Sequence, residues 1–193
     1  YGPTKKLPIS EKDPLRPVSP YGFQKQASEE LCRLMGELHG LDTVCLRYFN
    51  AFGPGQYGGS AYANVVSGWL EALFFPKRKK MFIEGDGRQS RDFCYVGDIV
   101  NANIKAMQSK KKFKGEAMNI GSGEQIDLLT LKKLLEAYAG GKLDIERRPP
   151  RLGDIRHTRA DIRVARRLIG YVPGTSFAKG LKRTLAWFEG RAS

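Results

Sequence analysis

The chain has 193 residues, of which 41% are hydrophobic, and its 33 lysines and arginines against 20 acids give a formal net charge of +13. That length and apolar content support a packed globular fold and exclude disorder as the default. No apolar run is long enough to cross a bilayer, and residues 1–20 lack the charged start and apolar middle of a secretory signal.

Residues 1–20 read as a polar loop with prolines at 3, 8, 14, 17 and 20. A helix is expected over 20–39, with Ser19 as cap, Pro20 at the first helical position and Gly40 as the stop. Phe23, Ala27, Leu31, Leu34 and Leu38 are spaced along it for burial. A short strand over 43–49 is apolar enough to be buried on both faces, and a helix followed by such a strand predicts an α/β layer fold. A glycine-rich loop runs from Gly53 to Gly59, and a helix is expected over about 62–75. A short strand at 81–83, a turn at Gly85–Gly87 and an extended stretch at 91–96 follow. Asp98 reads as the N-cap of a helix carrying Val100, Ile104 and Met107. A buried strand at 117–120 ends at Gly121-Ser122-Gly123, and helix 129–139, strand 143–146 and helices near 161–169 and 176–189 complete the pattern. There is no internal repeat.

The three cysteines have no repeated spacing, and Cys32 and Cys45, in apolar segments, read as small core residues. His39 and His157 lie near no cysteine, so no metal site is expected, and a reducing cytoplasm is the simplest compartment. The basic clusters are Lys77–Lys80, Lys110–Lys112 and the arginines between Arg147 and Arg167. Such a surface attracts anions, either nucleic acid or a phosphorylated small molecule. The absence of a stacked-aromatic RNA signature and of a zinc finger argues against a specific nucleic-acid partner.

The chemistry-bearing pair is Tyr21 and Lys25, in Ser19-Pro-Tyr-Gly-Phe-Gln-Lys25. Four-residue spacing places both on one helical face. An ammonium held beside a phenol favours the phenolate and makes it a usable general base; the competing reading is a half-buried tyrosine beside a solvated lysine. Gly53-Pro-Gly-Gln-Tyr-Gly58 matches G-x-G-x-x-G, but a dinucleotide turn needs an acid about twenty residues on, and 73–80 has none. That loop is expected near a substrate instead.

Five segments together resemble extended short-chain dehydrogenases acting on nucleotide sugars, the NAD-dependent epimerase/dehydratase family. They are Tyr1-Gly2, Ser19–Lys25, Leu46-Arg-Tyr-Phe-Asn50 with Phe52-Gly-Pro54, Gly85–Val96, and Gly153-Asp-Ile-Arg-His157. Within the family, Ala61–Val66 and Ser90–Tyr95 look most like UDP-N-acetylglucosamine 4-epimerases, with UDP-glucose 4-epimerases close behind. The resemblance implies the C-terminal part of a doubly wound parallel, Rossmann-like sheet with a smaller α/β substrate-binding subdomain. The implied division is 1–52 for the end of the NAD-binding domain, 53–96 for a substrate-binding segment, 97–122 for a helix and strand returning to the sheet, and 123–193 for the substrate-binding subdomain. No glycine-rich opening turn is present, so the chain is read as the C-terminal portion of a longer enzyme.

The same resemblance implies the roles. The residue matching Tyr21 takes the proton from the sugar C4 hydroxyl while NAD accepts the C4 hydride; the residue matching Lys25 binds the nicotinamide ribose. Phe49 matches a residue that packs near the nicotinamide. Asn50 matches a residue that hydrogen-bonds the substrate diphosphate or sugar, and Arg91 and Arg151 match arginines that clamp the two phosphates, where a planar guanidinium suits phosphate oxygens. Asp154 matches a residue near the nucleotide ribose or base. His157 is read as a supporting or surface residue. The implied partners are a UDP-sugar and, for the longer enzyme, a second copy in a homodimer. A nucleotide-sugar 4,6-dehydratase is the alternative, opposed by Val18, Ser19 and Pro20 where its acid–base pair would stand; a non-catalytic binding module is another.

Overall fold

The first helix forms where its capping chemistry places it. In the computed structural model, which describes residues 1–4, 6–58, 64–77, 80–150 and 155–192, helix α1 spans Pro20–His39. The Ser19 side chain accepts from the Gly22 N–H, and Gly40 ends the helix in left-handed backbone at φ 66°. Strand β1 (Thr43–Tyr48) follows, and β2 (Asn50–Phe52) continues it beyond Phe49. Next come α2 (Val65–Phe74), β3 (Met81–Glu84), β4 (Ser90–Arg91), β5 (Phe93–Tyr95) and α3 (Val96–Met107). Then come β6 (Lys114–Ile120), β7 (Ile126–Asp127), α4 (Leu128–Ala139), β8 (Ile145–Arg148), α5 (Arg163–Ile169) and α6 (Phe177–Ala192). The α/β class expected from the sequence is the one observed. β2 and β7 went unanticipated because strands of three and two residues are too short for alternation to register.

Parallel pairing dominates, and each parallel pair is closed by a long crossover. β1 runs parallel to β6 from Thr43–Lys114 to Tyr48–Ile120. β2 pairs with β5, placing Asn50 opposite Phe93, and β3 pairs with β8. β4 and β7 pair antiparallel. Side chains alternate across β1: Val44 and Leu46 pack on the core beneath α3, while Thr43 and Arg47 bond α1 on the other face. The expectation of a strand buried on both faces is corrected here. Most β1 residues are half-buried and Tyr48 is exposed, because among the described residues β1 has a partner strand on one edge only.

The apolar side chains gather into two clusters. The rings of Phe52, Phe93 and Phe177 lie with centres 5.1–6.2 Å apart and join Leu70, Leu131, Leu135 and Phe188. The second cluster holds Cys94, Met118, Ile120, Ala165 and Tyr171, so α5 packs on β6. β5 divides the two, sending Phe93 to one and Cys94 to the other. Burial pushes the Cys94 thiol up to about 12. Cys32 and Cys45, expected in the core, are half-buried.

Two expectations fail instructively. Phe23, Leu31, Leu34 and Leu38 lie along α1 as the spacing predicts, yet they are exposed, Leu38 to 72%. The helix instead rests on β6 through Gly36, its one buried residue, where a Cβ would stand 3.1 Å from the Lys114 Cα. Gly115, at φ 82°, allows the return contact, since a Cβ there would stand 2.4 Å from the Arg33 Cα. Asp98 does not cap its own helix, which starts at Val96. Its buried carboxylate accepts from the Gly174 and Thr175 N–H groups at 2.9 and 3.1 Å and ties down the approach to α6.

Candidate functional site

The first turns of α1 present Tyr21 and Lys25 together. Both are exposed, and the Lys25 Nζ stands 5.3 Å from the centre of the Tyr21 ring. Two turns beyond Tyr21, Glu29 meets Arg47 of β1 in a two-pronged ion pair, Nε to Oε1 at 2.8 Å and Nη2 to Oε2 at 2.6 Å. The remaining Arg47 nitrogen, Nη1, donates to the Tyr1 hydroxyl at 2.7 Å, and the guanidinium lies 4.9 Å from that ring's centre. Tyr1 in turn donates to Asn119 Oδ1 of β6. Burial pushes the Tyr1 phenol above its usual range, against the pull of Arg47, so it stays a neutral donor.

The second group sits where β1 passes into β2. Phe49 is held by its N–H to the Ile120 carbonyl at 2.9 Å, and its ring lies 6.4 Å from that of Tyr1. The Asn50 N–H donates to the carbonyl of Asp92, the residue after Arg91, at 3.0 Å. Arg91 Nη1 donates to the Ser90 and Arg156 carbonyls at 3.1 and 3.2 Å. Glu29, Arg47 and Tyr1 thus link the helix that carries Tyr21 and Lys25 to Phe49 at the end of β1. Arg151 and Asp154, the other predicted substrate residues, lie outside the described residues.

Beneath Arg91, Asp92 is fully buried. Its Oδ1 accepts from the Ser122 N–H and hydroxyl, both at 2.7 Å; Oδ2 accepts from Gly123 N–H at 3.0 Å and Ala160 N–H at 2.9 Å. Burial pushes this carboxyl up, and the four donors pull it back. Asp92 thereby pins the 121–123 turn and the 158–160 segment against β4. Ser90 adds a further tie: its hydroxyl accepts from Gln125 Nε2 at 2.9 Å and meets His157 Nδ1 at 2.8 Å. His157, read from the sequence as a supporting or surface residue, thus meets Ser90 of β4.

Sequence reasoning missed the roles of Asp92, Ser90 and the Glu29–Arg47–Tyr1 linkage. Their partners stand 18 to 68 positions away in the chain, beyond the reach of any local spacing rule. Among the described residues, Gly53–Gly58 forms a loop and α2 begins at Val65.

The family model described as "NAD dependent epimerase/dehydratase family" matches residues 1–121. A UDP-glucose 4-epimerase of Mycolicibacterium smegmatis is 32% identical over 192 residues, covering 100% of this chain and 60% of that protein. The structure of a UDP-N-acetylglucosamine 4-epimerase from Methanobrevibacter ruminantium, in complex with UDP-N-acetylmuramic acid, superposes with a TM-score of 0.90 at 34% identity, covering 99% of this chain and 60% of the other. A UDP-glucose 4-epimerase from Thermotoga maritima, with UDP-glucose, gives a TM-score of 0.91 at 33% identity, covering 100% and 60%. The chain thus spans about 60% of the length of these relatives.

Proposed function

We propose, from the premise that this chain belongs to the NAD dependent epimerase/dehydratase family, that the whole protein carrying it inverts C4 of a UDP-hexose or UDP-N-acetylhexosamine. The observation that carries this reading is the Lys25 ammonium poised over the Tyr21 ring on an exposed helical face. Such a pair suits proton removal from a hydroxyl that is being oxidised. The UDP-sugar complexes of the relatives support the substrate class.

The fit to NAD can be judged from the donor set. An exposed ammonium and phenol side by side can grip a ribose, and Phe49 offers an apolar wall. With Tyr21, Lys25 and Phe49, this chain supplies the nicotinamide-ribose side of the site. NAD, when bound, supplies a hydride acceptor that can return what it takes. Tyr21 accepts the C4 hydroxyl proton as the C4 hydrogen leaves, giving a 4-keto sugar. Asn50, Arg91, Arg151 and Asp154 keep hold of the nucleotide while the sugar turns, and Tyr21 gives the proton back as the opposite face is reduced.

The domain reading divides the chain in four, although Phe52 packs in the first cluster and Cys94 and Tyr171 in the second. Segments 1–52 and 97–122 form the NAD side, and 53–96 with 123–193 form the sugar side, with α5 packed across onto the first. The exposed row Phe23, Leu31, Leu34 and Leu38 on α1 is the face through which two copies pair in a homodimer. The compartment is the cytoplasm, a reading that rests on cysteine use alone.

The test is to give the whole protein UDP-glucose or UDP-N-acetylglucosamine carrying deuterium at C4. The reading expects the 4-epimer with deuterium retained at C4. Epimer formation with the label lost to water, or no 4-epimer from either sugar, contradicts it.

A further inference from the structure

The N-terminal half of α1 carries the proposed chemistry, yet little apolar packing restrains it. Its apolar row faces outward, and its one buried residue, Gly36, lies three turns beyond Lys25. What ties this half to the sheet is polar. Glu29 stands one turn after Lys25 and two after Tyr21, on the same helical face. Arg47 chelates both its oxygens, and the two side chains are only 15% and 22% exposed. Arg47 is itself held on its far side by the Tyr1 hydroxyl, and Tyr1 by Asn119 of β6. The Tyr1 ring then touches Phe49, the residue that leads into Asn50.

We infer that Glu29, Arg47 and Tyr1 are positioning residues, a rigid linkage that sets the height and rotation of α1 over β1 and so places Tyr21 and Lys25 against the strand end carrying Phe49 and Asn50. A half-buried, two-pronged pair has a defined geometry that an exposed single contact lacks. Sliding the helix by one residue shifts Tyr21 by about 1.5 Å and turns it by about 100°. A guanidinium can bond two oxygens and a phenol at once in one plane, whereas lysine cannot. The linkage touches no reacting atom; it acts through the two residues that do. The inference rests on the reading of Tyr21 as proton acceptor.

The test uses the whole protein with Arg47→Lys, Glu29→Gln, the double variant and, separately, Tyr21→Phe, with rates expressed per folded molecule. Arg47→Lys is expected to lower kcat by about 10- to 100-fold, the scale of a misplacement near 1 Å, while KM for the UDP-sugar moves less than about 2-fold. Glu29→Gln acts in the same direction, and the double variant is no worse than the worse single change, because both break one linkage. Where Arg47→Lys fails to fold, Tyr1→Phe removes only the hydroxyl and is expected to lower kcat about 5-fold at unchanged KM. Unaltered kcat per folded molecule in these variants overturns the inference, as does a rise in KM with kcat intact. If Tyr21→Phe is inactive in that case, the functional reading stands without the linkage. If Tyr21→Phe remains active, that reading falls and takes this inference with it.

Discussion

Helix α1 and the aromatic cluster around Phe177 use the same kind of residue to opposite ends. Phe52, Phe93, Phe177 and Phe188 are enclosed by α2, α4 and α6, and none exposes more than 5% of its surface. Phe23 on α1 is 64% exposed, with Leu31, Leu34 and Leu38 beside it. One set is held by packing. The other helix is held by close contacts at Gly36 and Gly115 and by polar bonds from Thr43 and Arg47. Apolar periodicity therefore identifies a face that must be covered, without saying whether this chain covers it. The contrast also separates the enclosed cluster, which holds the fold, from the helix to which the proposed function assigns Tyr21 and Lys25.

The contrast can be broken most readily in the enclosed cluster. Phe188→Ala empties a site that no neighbour can refill and is expected to cost about 3–5 kcal/mol in urea or thermal unfolding. A loss below about 1 kcal/mol would mean that the cluster is not the stabilising core. Asp92→Asn comes next, at about 2–3 kcal/mol. Each Asp92 oxygen accepts two hydrogen bonds, so either orientation of an amide turns its NH2 toward a backbone N–H. Stability equal to the parent chain would show that those donors find other acceptors.

A smaller effect is expected in acid. The Arg163 guanidinium holds Asp161 below the usual carboxylate range, through bonds to both its oxygens. Because the folded value is depressed, this contribution is complete above the unfolded value near 4 and is lost as pH falls through the folded one. Asp161→Asn should flatten the fall in stability below about pH 4, and an unchanged acid limb would remove Asp161 from the account. The smallest effect belongs to α1. Phe23→Ser and Leu38→Ser should change the stability of the isolated fold by no more than about 0.5 kcal/mol. In the whole protein the same changes should weaken self-association in sedimentation. A large loss of fold stability, or undisturbed association, would show that this row is not an intermolecular face.

Local rules carried the reading a long way. Ser19, Pro20 and Gly40 delimit α1 to the residue, because a cap, a fixed φ and a left-handed stop act over a single turn. The pairing of Tyr21 with Lys25 followed from helical spacing alone. Asp98 was misread for a physical reason: a carboxylate near a helix start satisfies the capping rule, and nothing local reveals that its donors come from Gly174 and Thr175. The Asp92 hub and the Arg47 linkage were invisible on the same ground, since each joins segments far apart in the chain. The exposure of Phe23 and Leu38 was likewise beyond a pattern that records period and polarity but not neighbours.

The most direct trial of the central claim is Tyr21→Phe in the whole protein, assayed for interconversion of UDP-sugars at C4. That change deletes one oxygen from an exposed side chain and leaves the ring beneath Lys25 in place. The account predicts a fall in kcat of about 100-fold or more, with the nucleotide-sugar still bound. Turnover close to that of the unaltered protein would contradict it.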